Sequence, residues 1–436
     1  LVEGVEELAP AGWLRITDGV ATSGRYWDLA RTFDHRAPTS SKVSDDAVEE
    51  LLVQAVCRRL VADVGVGAIT SGGLDSSLVS AIAQRHTEGI LHTFCVGFED
   101  PRFDESDSAA AMARHIGSTH HGYTVTGASI ERDIDTLTWV HDLPLTHPNA
   151  IPMHQVFRYA REEIGVTVVL SGEGADEVFG GYDWYRTMQR RARLAPWRSL
   201  LLPIAPLLGG SRRRVLERVL TDNYPALAST VLQPAEVEAL GVDAASAVRE
   251  RRSRYPGDLD ARDALFLHDQ RTYLPALLRR QDRMAMAAGV EARVVFLDSD
   301  LVRRVNGLPW SEKLSGGRTK SILRRIGERW LPTSTLAKSK VGFTLPLSEW
   351  MASGGAFADR AAALRDDGSV LRDGAIGLQV AADWSAERVP TDVAWSLMAL
   401  DAWYRLFLGN GSSTPVPSGA ARAVWTKPSS GQLLDA

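Results

Sequence analysis

An α/β fold is what the sequence predicts: a parallel sheet with helices on both faces, followed by a mainly helical region. Three observations carry the prediction. From Asp63 to about Ser171, β-prone apolar runs alternate with helical patterns, as they do when strand–helix crossovers build a parallel sheet. Two glycine-rich turns, Ser71 to Ser77 and Ser171 to Glu177, each follow such a run, and strand ends are where sheets of this kind bind ligands. Beyond Tyr182 the strand signal fades and helical spacing takes over.

Residues 1–43 read as short β pieces and turns, punctuated by Gly4, Pro10, Gly12 and Gly19, with Arg25 to Leu29 as an aromatic anchor. This is a linker or docking segment. A helix is expected from about Ser44, because Val48, Leu51, Leu52, Ala55, Val56 and Leu60 fall on one face. The expected strands are Val64 to Thr70, Gly89 to Phe98, His120 to Thr126 and Val166 to Leu170, with helical stretches at Leu78 to Ala83, Ser106 to Ile116 and His154 to Ile164. The basic stretch from Arg186 to Arg198 reads as a solvated helix face rather than an anion site. Leu265 to Met286 is a long helical pattern in which Pro275 marks a boundary or kink. Ala394 to Leu408 reads as an aromatic-rich core helix, and residues 409–436 as a flexible Gly/Ser/Pro-rich tail. Residues 44–408 are expected to form one domain, with the sheet core in 44–185 and the helical part in 186–408.

The 436 residues carry a net charge of −5. That is no field for nucleic acid. A 44% hydrophobic and 24% charged composition is that of an ordinary globular protein. No apolar stretch reaches the ~18 residues a membrane span needs, and the most apolar one, Leu200 to Leu208, contains two prolines. The expectation is a cytoplasmic protein with neither a membrane nor a nucleic-acid partner; a homodimer is left open. Cys57 and Cys95 lie in a helical pattern and an apolar run and are expected to be buried small hydrophobes rather than a disulfide, a nucleophile or a metal site.

Chemistry gathers at the two turns. A strand that breaks at Gly72 and Gly73 and restarts as a helix turns unpaired backbone N–H groups, and the positive end of the helix dipole, toward one point. Ser71, Ser76 and Ser77 add hydroxyl donors, Leu74 continues the loop, and Asp75 supplies a hard oxygen for Mg²⁺. No Gly-Lys-Ser/Thr ending is present, so this is not a Walker A loop. A Ser/Gly turn that only caps a helix is the plain alternative. At the second turn, Ser171 and Gly172 lead into three acids, Glu173, Asp176 and Glu177. Carboxylates beside a polyphosphate need a metal or a proton between them. Asp75 and Asp176 are therefore the candidates for Mg²⁺ and Glu173 for work on an incoming nucleophile, while Glu177 reads as a helix cap.

The heptapeptide Ser-Gly-Gly-Leu-Asp-Ser-Ser resembles the signature of the ATP pyrophosphatases, the PP-loop family, whose fold is adenine-nucleotide alpha hydrolase-like. The run Ser-Gly-Glu-Gly-Ala-Asp-Glu-Val-Phe-Gly-Gly-Tyr is similar to the second signature of the asparagine synthetases within that family. The resemblance runs from Gly4 to about Leu408, and the wording before Asp28 is similar to the junction joining a glutaminase half to the synthetase half. It implies adenylation of a carboxylate, aspartate by kinship, with release of pyrophosphate, then displacement of AMP by ammonia. It implies that Lys340, in Lys-Val-Gly-Phe-Thr-Leu-Pro, stabilises charge at the α-phosphate, that Lys320 contacts phosphate, and that Val96 borders the adenine. Asp282 and Arg283 belong to another hallmark, where they line the substrate end or pair structurally; Glu291 and Arg293 read as structural.

No glutaminase nucleophile stands in these residues and Leu1 is not a Met, so the expectation is that a glutaminase half lies upstream or that nitrogen comes from ammonia or an amine. Departures from the family pattern are Thr70 for Leu, Leu143 for an acid, His147 for Asp and Val295 for Pro. Leu143 and the missing glutaminase keep open an amide-closing enzyme of the β-lactam synthetase or lasso-peptide cyclase kind; a second rival, a non-catalytic ATP-binding relative, is opposed by the retention of Asp75, Glu173, Asp176 and Lys340 together. Glu173 argues against the β-lactam branch, where a tyrosine usually replaces it.

Overall fold

The computed structural model describes residues 5–33, 41–201, 203, 243, 245–246, 249, 259–338, 343–352, 354–367 and 391–408. An antiparallel hairpin, β1 (Gly12–Thr17) and β2 (Val20–Arg25), opens the chain. Its apolar residues Leu14, Ile16 and Val20 are exposed. A short 3-10 turn (Leu29–Phe33) then anchors the segment, as Phe33 is buried and the Asn306 amide donates to the Thr32 hydroxyl at 2.9 Å.

After helix α1 (Ser41–Leu60) comes the sheet, with strands β3 (Val66–Ile69), β4 (His92–Phe98), β5 (Thr119–Val125), β6 (Val168–Ser171) and β7 (Glu291–Val294). All its pairings are parallel, in the order β5-β4-β3-β6-β7. The chain winds outward from β3 through β4 to β5, then returns to lay β6 on the other side of β3. Between β3 and β6, therefore, successive connections leave in opposite directions and a crevice opens at the strand ends.

The four expected strands are found, each a residue or more shorter or shifted, and β7 is a fifth that the sequence reading did not separate. Its residues Glu291 to Val294 are exposed or half-buried at the sheet edge, so no apolar run announces it. Helices α2 (Leu74–His86), α3 (Ser106–Ile116), α4 (Gly127–His141) and α5 (Ala150–Glu162) connect the strands. One apolar layer joins α4 and α5 to the sheet, and a second joins α1, α2 and the face behind β3 and β6. The sheet is thus covered on both sides.

Past β6 come α6 (Ala175–Phe179), α7 (Asp183–Leu194) and the long α8 (Ala261–Ala287). Of the two expectations for Pro275, a boundary or a kink, the boundary is not found, because α8 runs on through it. A proline costs one backbone bond and a clash with the preceding turn, but Leu274 and Leu277 on either side are buried and hold the helix in place. Later helices are α9 (Ser299–Asn306), α10 (Trp310–Lys313), α11 (Ser321–Gly327), α12 (Thr333–Ala337), α13 (Leu347–Ala352), α14 (Ala356–Asp367) and α15 (Thr391–Phe407). The aromatic helix near the C-terminus is α15, with Trp395 fully buried. Among the described residues, no helix is long and apolar enough to cross a membrane. The expected tail, 409–436, lies outside the described residues. Cys57 is half-buried rather than buried, Cys95 is buried, and both are free.

Candidate active site at the β3–β6 strand ends

A cavity of about 260 Å³ opens where β3 and β6 end. Ser71, Gly73, Leu74, Asp75 and Ser76 form one wall, Ser171, Gly172, Glu173 and Asp176 the facing wall, and Val96 lies on a third side. The first turn is tied by its own hydroxyls: Ser71 Oγ and Ser76 Oγ are 3.0 Å apart, and the Gly73 N–H donates to Ser71 Oγ at 3.3 Å. Gly72 has φ of +73°, and a Cβ there would meet the backbone of Ser108 at 2.6 Å, so only glycine fits. Gly73 is the N-cap of α2 and brings no capping side chain, which leaves the first N–H groups of that helix to an external acceptor.

Gly72 and Ser77 do not line the cavity. Gly72 shapes the turn from behind, and Ser77 is fully buried on the core side of α2. Ser171 lines it, but its hydroxyl is committed to Gln281 Oε1 at 2.9 Å. Lys340 lies outside the described residues.

Charge is organised around Lys320. It precedes α11 with φ of +53°, an unusual conformation for a residue with a Cβ, and its side chain is only 5% exposed. Its ammonium meets Asp176 Oδ1 at 2.6 Å and also the Asp75 carboxylate. Burial opposes that charge, but the Asp176 and Asp75 carboxylates outweigh it and hold the lysine above its ordinary range. Two acids a hundred residues apart in the chain thus converge on one cation, and they do so at the ends of adjacent strands. Two carboxylates that converge on one point offer the hard oxygen donors that Mg²⁺ takes, an ion that usually completes its octahedron with oxygens from outside the protein. The residues fit that ion.

The remaining acids of the second turn behave differently. Glu173 Oε1 accepts from Arg280 Nη2 at 2.7 Å, and Arg280 Nη1 donates to Asn149 Oδ1 at 2.7 Å. Glu177 is buried and accepts from the Tyr182 hydroxyl at 2.6 Å. Burial, with the Asp176 charge next, pushes its carboxyl up to about 8; instead of the expected cap it is a buried residue in the first turn of α6, whose N-cap is Gly174.

The cavity is divided in polarity. Ile69, Val96, Phe98, Met153, Val156 and Phe157 make an apolar end; Asp75, Asp176, Lys320, Arg324 and Lys338 make the charged one. Cys95 lines it too, yet burial pushes its thiol up to about 12, so it stays protonated and is no nucleophile.

Sequence reasoning missed Arg280, Gln281, Arg324 and Lys338. It weighed Asp282 and Arg283 instead, which lie on the exposed side of α8, Arg283 pairing with Asp142 at 2.9 Å. Helical spacing could have found the first two, because the buried positions Leu274, Leu277 and Met284 define a stripe that Arg280 and Gln281 share. Glu291 and Arg293 pair at 2.7 Å, and Arg293 also donates to the carbonyls of Arg59 and Val61, a structural tie of β7 to the end of α1.

The departures are accommodated. Thr70 Oγ1 lies 2.5 Å from Ser80 Oγ, and Val295 is fully buried. Leu143 and His147 line a second cavity of about 210 Å³ with His141, Leu145, Ala276 and Arg280. Burial, followed by the charges of Arg280 and His141, lowers His147 to about 4, so its imidazole is neutral. Arg280 stands between this cavity and Glu173.

A doubly covered parallel sheet with two glycine turns and paired acids at its switch point defines an α/β domain of the kind that binds ligands at its strand ends. The asparagine synthase family model matches residues 47–405, and the chain belongs to that family. It is 32% identical over 326 residues to a putative glutamine-hydrolyzing asparagine synthetase of Mycobacterium bovis, covering 71% of this chain and 49% of that protein. It is 31% identical over 376 residues to glutamine-hydrolyzing asparagine synthetase 3 of Bacillus subtilis, covering 80% and 57%. The chain spans about half the length of the curated relatives it matches. Among solved structures, NMN synthetase from Francisella tularensis overlays 54% of this chain and 96% of its own at a TM-score of 0.25 and 14% identity, too slight a likeness to carry an argument.

Proposed function

We propose that this chain is an ATP-dependent, AMP-forming amide synthetase that makes asparagine from aspartate, with ammonia supplied free or from glutamine. The observation that carries the reading is the convergence of Asp75 and Asp176 on one cation beside a slot whose far end is apolar. Adenine fits the end bordered by Val96 and Phe98; the triphosphate fits the charged end, against the uncapped start of α2. The acceptor carboxylate would attack the α-phosphorus, with the electron pair of the broken bond leaving on pyrophosphate. Asp75 and Asp176 would hold Mg²⁺, which when bound neutralises the phosphate charge. Lys320 keeps those acids in register, and Lys340 is assigned the charge that develops at the α-phosphate.

Glu173 takes the nitrogen step. Arg280 keeps it oriented toward the cavity, where it can accept a proton from the attacking ammonia. Enclosure by Phe343 and Thr344 would protect the acyl-adenylate from water. The exposed hairpin β1–β2 fits the role of a docking face for a glutaminase half. Among the described residues, no carboxylate lines the cavity that holds Leu143 and His147, although the α-ammonium of aspartate would favour one.

The test is acceptor-dependent formation of AMP and pyrophosphate from Mg·ATP and ammonium, comparing aspartate with succinate and other carboxylates that lack an ammonium group. Asparagine and AMP in equal amounts support the reading. Turnover with another carboxylate alone would keep the chemistry and replace the acceptor. No acceptor-dependent pyrophosphate from any of them would overturn it.

A further inference from the structure

Beside the site lies an open groove of about 640 Å³ that the reaction as drawn does not use. Gly181 to Trp184 and Arg186 form one side; Gly317, Arg318 and Thr319, with Arg324, Ala337 and Lys338, form the other. Thr319, Arg324 and Lys338 line both this groove and the nucleotide cavity. The two spaces share a wall at the phosphate end.

The partition between them is the Lys320–Asp176 pair, 2.6 Å apart. Gly181 makes it thin, because a Cβ there would overlap the Asp176 carboxylate and the Lys320 chain. The groove side is basic. Arg186 is paired with Asp183 at 3.1 Å and Lys338 with Glu105 at 2.6 Å. Arg318 and Arg324 are not paired with any carboxylate among the described residues.

Arg324 gives its Nε to the Thr319 carbonyl at 3.1 Å and its Nη1 to the Leu336 carbonyl at 2.8 Å, contacts that aim the guanidinium without cancelling its charge. Burial first, and then the nearby Arg318 charge, make Arg324 easier to deprotonate, which means that the two cations repel. The turn that presents Arg318 is tightly built, with a bridge from Ser315 to Arg318 across Gly316 and Gly317, whose φ values are +58° and +74°. The Asp75 carboxylate offsets only part of that repulsion, and two guanidinium groups held together without a carboxylate in direct contact are costly unless an anion joins them.

We infer that this groove is the exit site for pyrophosphate, with Arg318 and Arg324 taking the leaving group as it clears the Lys320–Asp176 partition. The inference rests on the ATP-cleaving reading above. Its ligand is the pyrophosphate anion or its Mg²⁺ complex. ATP enters from the adenine side, and pyrophosphate leaves from the opposite side, so product release need not wait for the acceptor or AMP to move.

Calorimetric binding of Mg·pyrophosphate and, separately, of a non-cleavable α,β-methylene ATP analogue tests it on wild type, Arg318→Gln, and Arg318→Gln with Arg324→Gln. Arg318 is exposed, so the single variant is expected to fold. Expected is a loss of pyrophosphate affinity of about tenfold for the single variant and more for the double, roughly what loss of a charge-assisted contact gives, with affinity for the ATP analogue changed less than about twofold in the single variant. Unchanged pyrophosphate binding, or equal losses for both ligands, would overturn the exit site. An enzyme that never forms pyrophosphate would sink the functional reading, yet leave this binding comparison readable.

Discussion

Asp176 and Glu177 are neighbours in the chain and opposites in surroundings. Asp176 faces the cavity and shares Lys320 with Asp75, so its charge has a purpose and a partner. Glu177 points back into the core, where it accepts from the Tyr182 hydroxyl, and its carboxyl is pushed up to about 8. A single step along the helix, about 100° of rotation, therefore separates an acid held ready for a cation from an acid that keeps its proton. The same five-residue helix α6 supplies both, and Glu173, just ahead of it, is tied to Arg280. What an acid in a signature does is decided by which cation the fold brings to it.

The comparison can be broken at either acid. Asp176→Asn should lower acceptor-dependent pyrophosphate release by about 1000-fold or more, since it removes one of the two carboxylates that would hold the Mg²⁺ neutralising the phosphate charge. Activity near wild type would take Asp176 out of the site.

Next in size is Arg280→Met, expected to cut amide formation about 100-fold while moving the KM for ATP less than about twofold, because Glu173 loses its orienting cation. Arg280→Lys should restore part of the rate. A fall in ATP affinity, or no rescue by lysine, would make Arg280 a structural residue only.

Glu177→Gln sharpens the other half. The folded carboxyl holds its proton up to about 8, whereas its ordinary value is 4.5. Between those values the folded state binds a proton that the unfolded state releases, so the wild type loses stability as pH rises through that window. The amide has no such proton, and its Tm relative to wild type should climb by several degrees between about pH 5 and pH 8, flattening above. A constant Tm difference would mean that Glu177 is ionised in the fold.

The smallest effect is expected at Ser77→Ala. Its hydroxyl is buried without a hydrogen-bond partner among the described residues, so the alanine variant should match wild type within about 0.5 kcal/mol in chemical denaturation, or exceed it. A lowered ATP affinity would return Ser77 to the phosphate site.

Much of this was legible in the chain because strand-end turns concentrate their chemistry in contiguous residues. Ser71 to Ser76 and Ser171 to Asp176 could be read off as two signatures, and the period of the apolar runs placed them on one edge. The cations could not be read in that way. Arg280 acts on Glu173 from 107 positions away, and Arg324 acts through carbonyls of two separate turns; nothing local marks such residues apart from ordinary helix arginines. Strand β7 escaped because an edge strand with Glu291 and Arg293 on it has no apolar signal. Pro275 could not be read as a helix end, because tertiary packing along α8 outweighs the local break it imposes.

Everything in the account turns on the acceptor carboxylate attacking the α-phosphorus. An acceptor carrying heavy oxygen in its carboxylate tests this directly, with AMP, pyrophosphate and amide analysed by mass after turnover with Mg·ATP and ammonium. The account predicts that the label passes from acceptor to AMP and is absent from pyrophosphate. Label in inorganic phosphate alongside ADP, or unlabelled AMP, would contradict it.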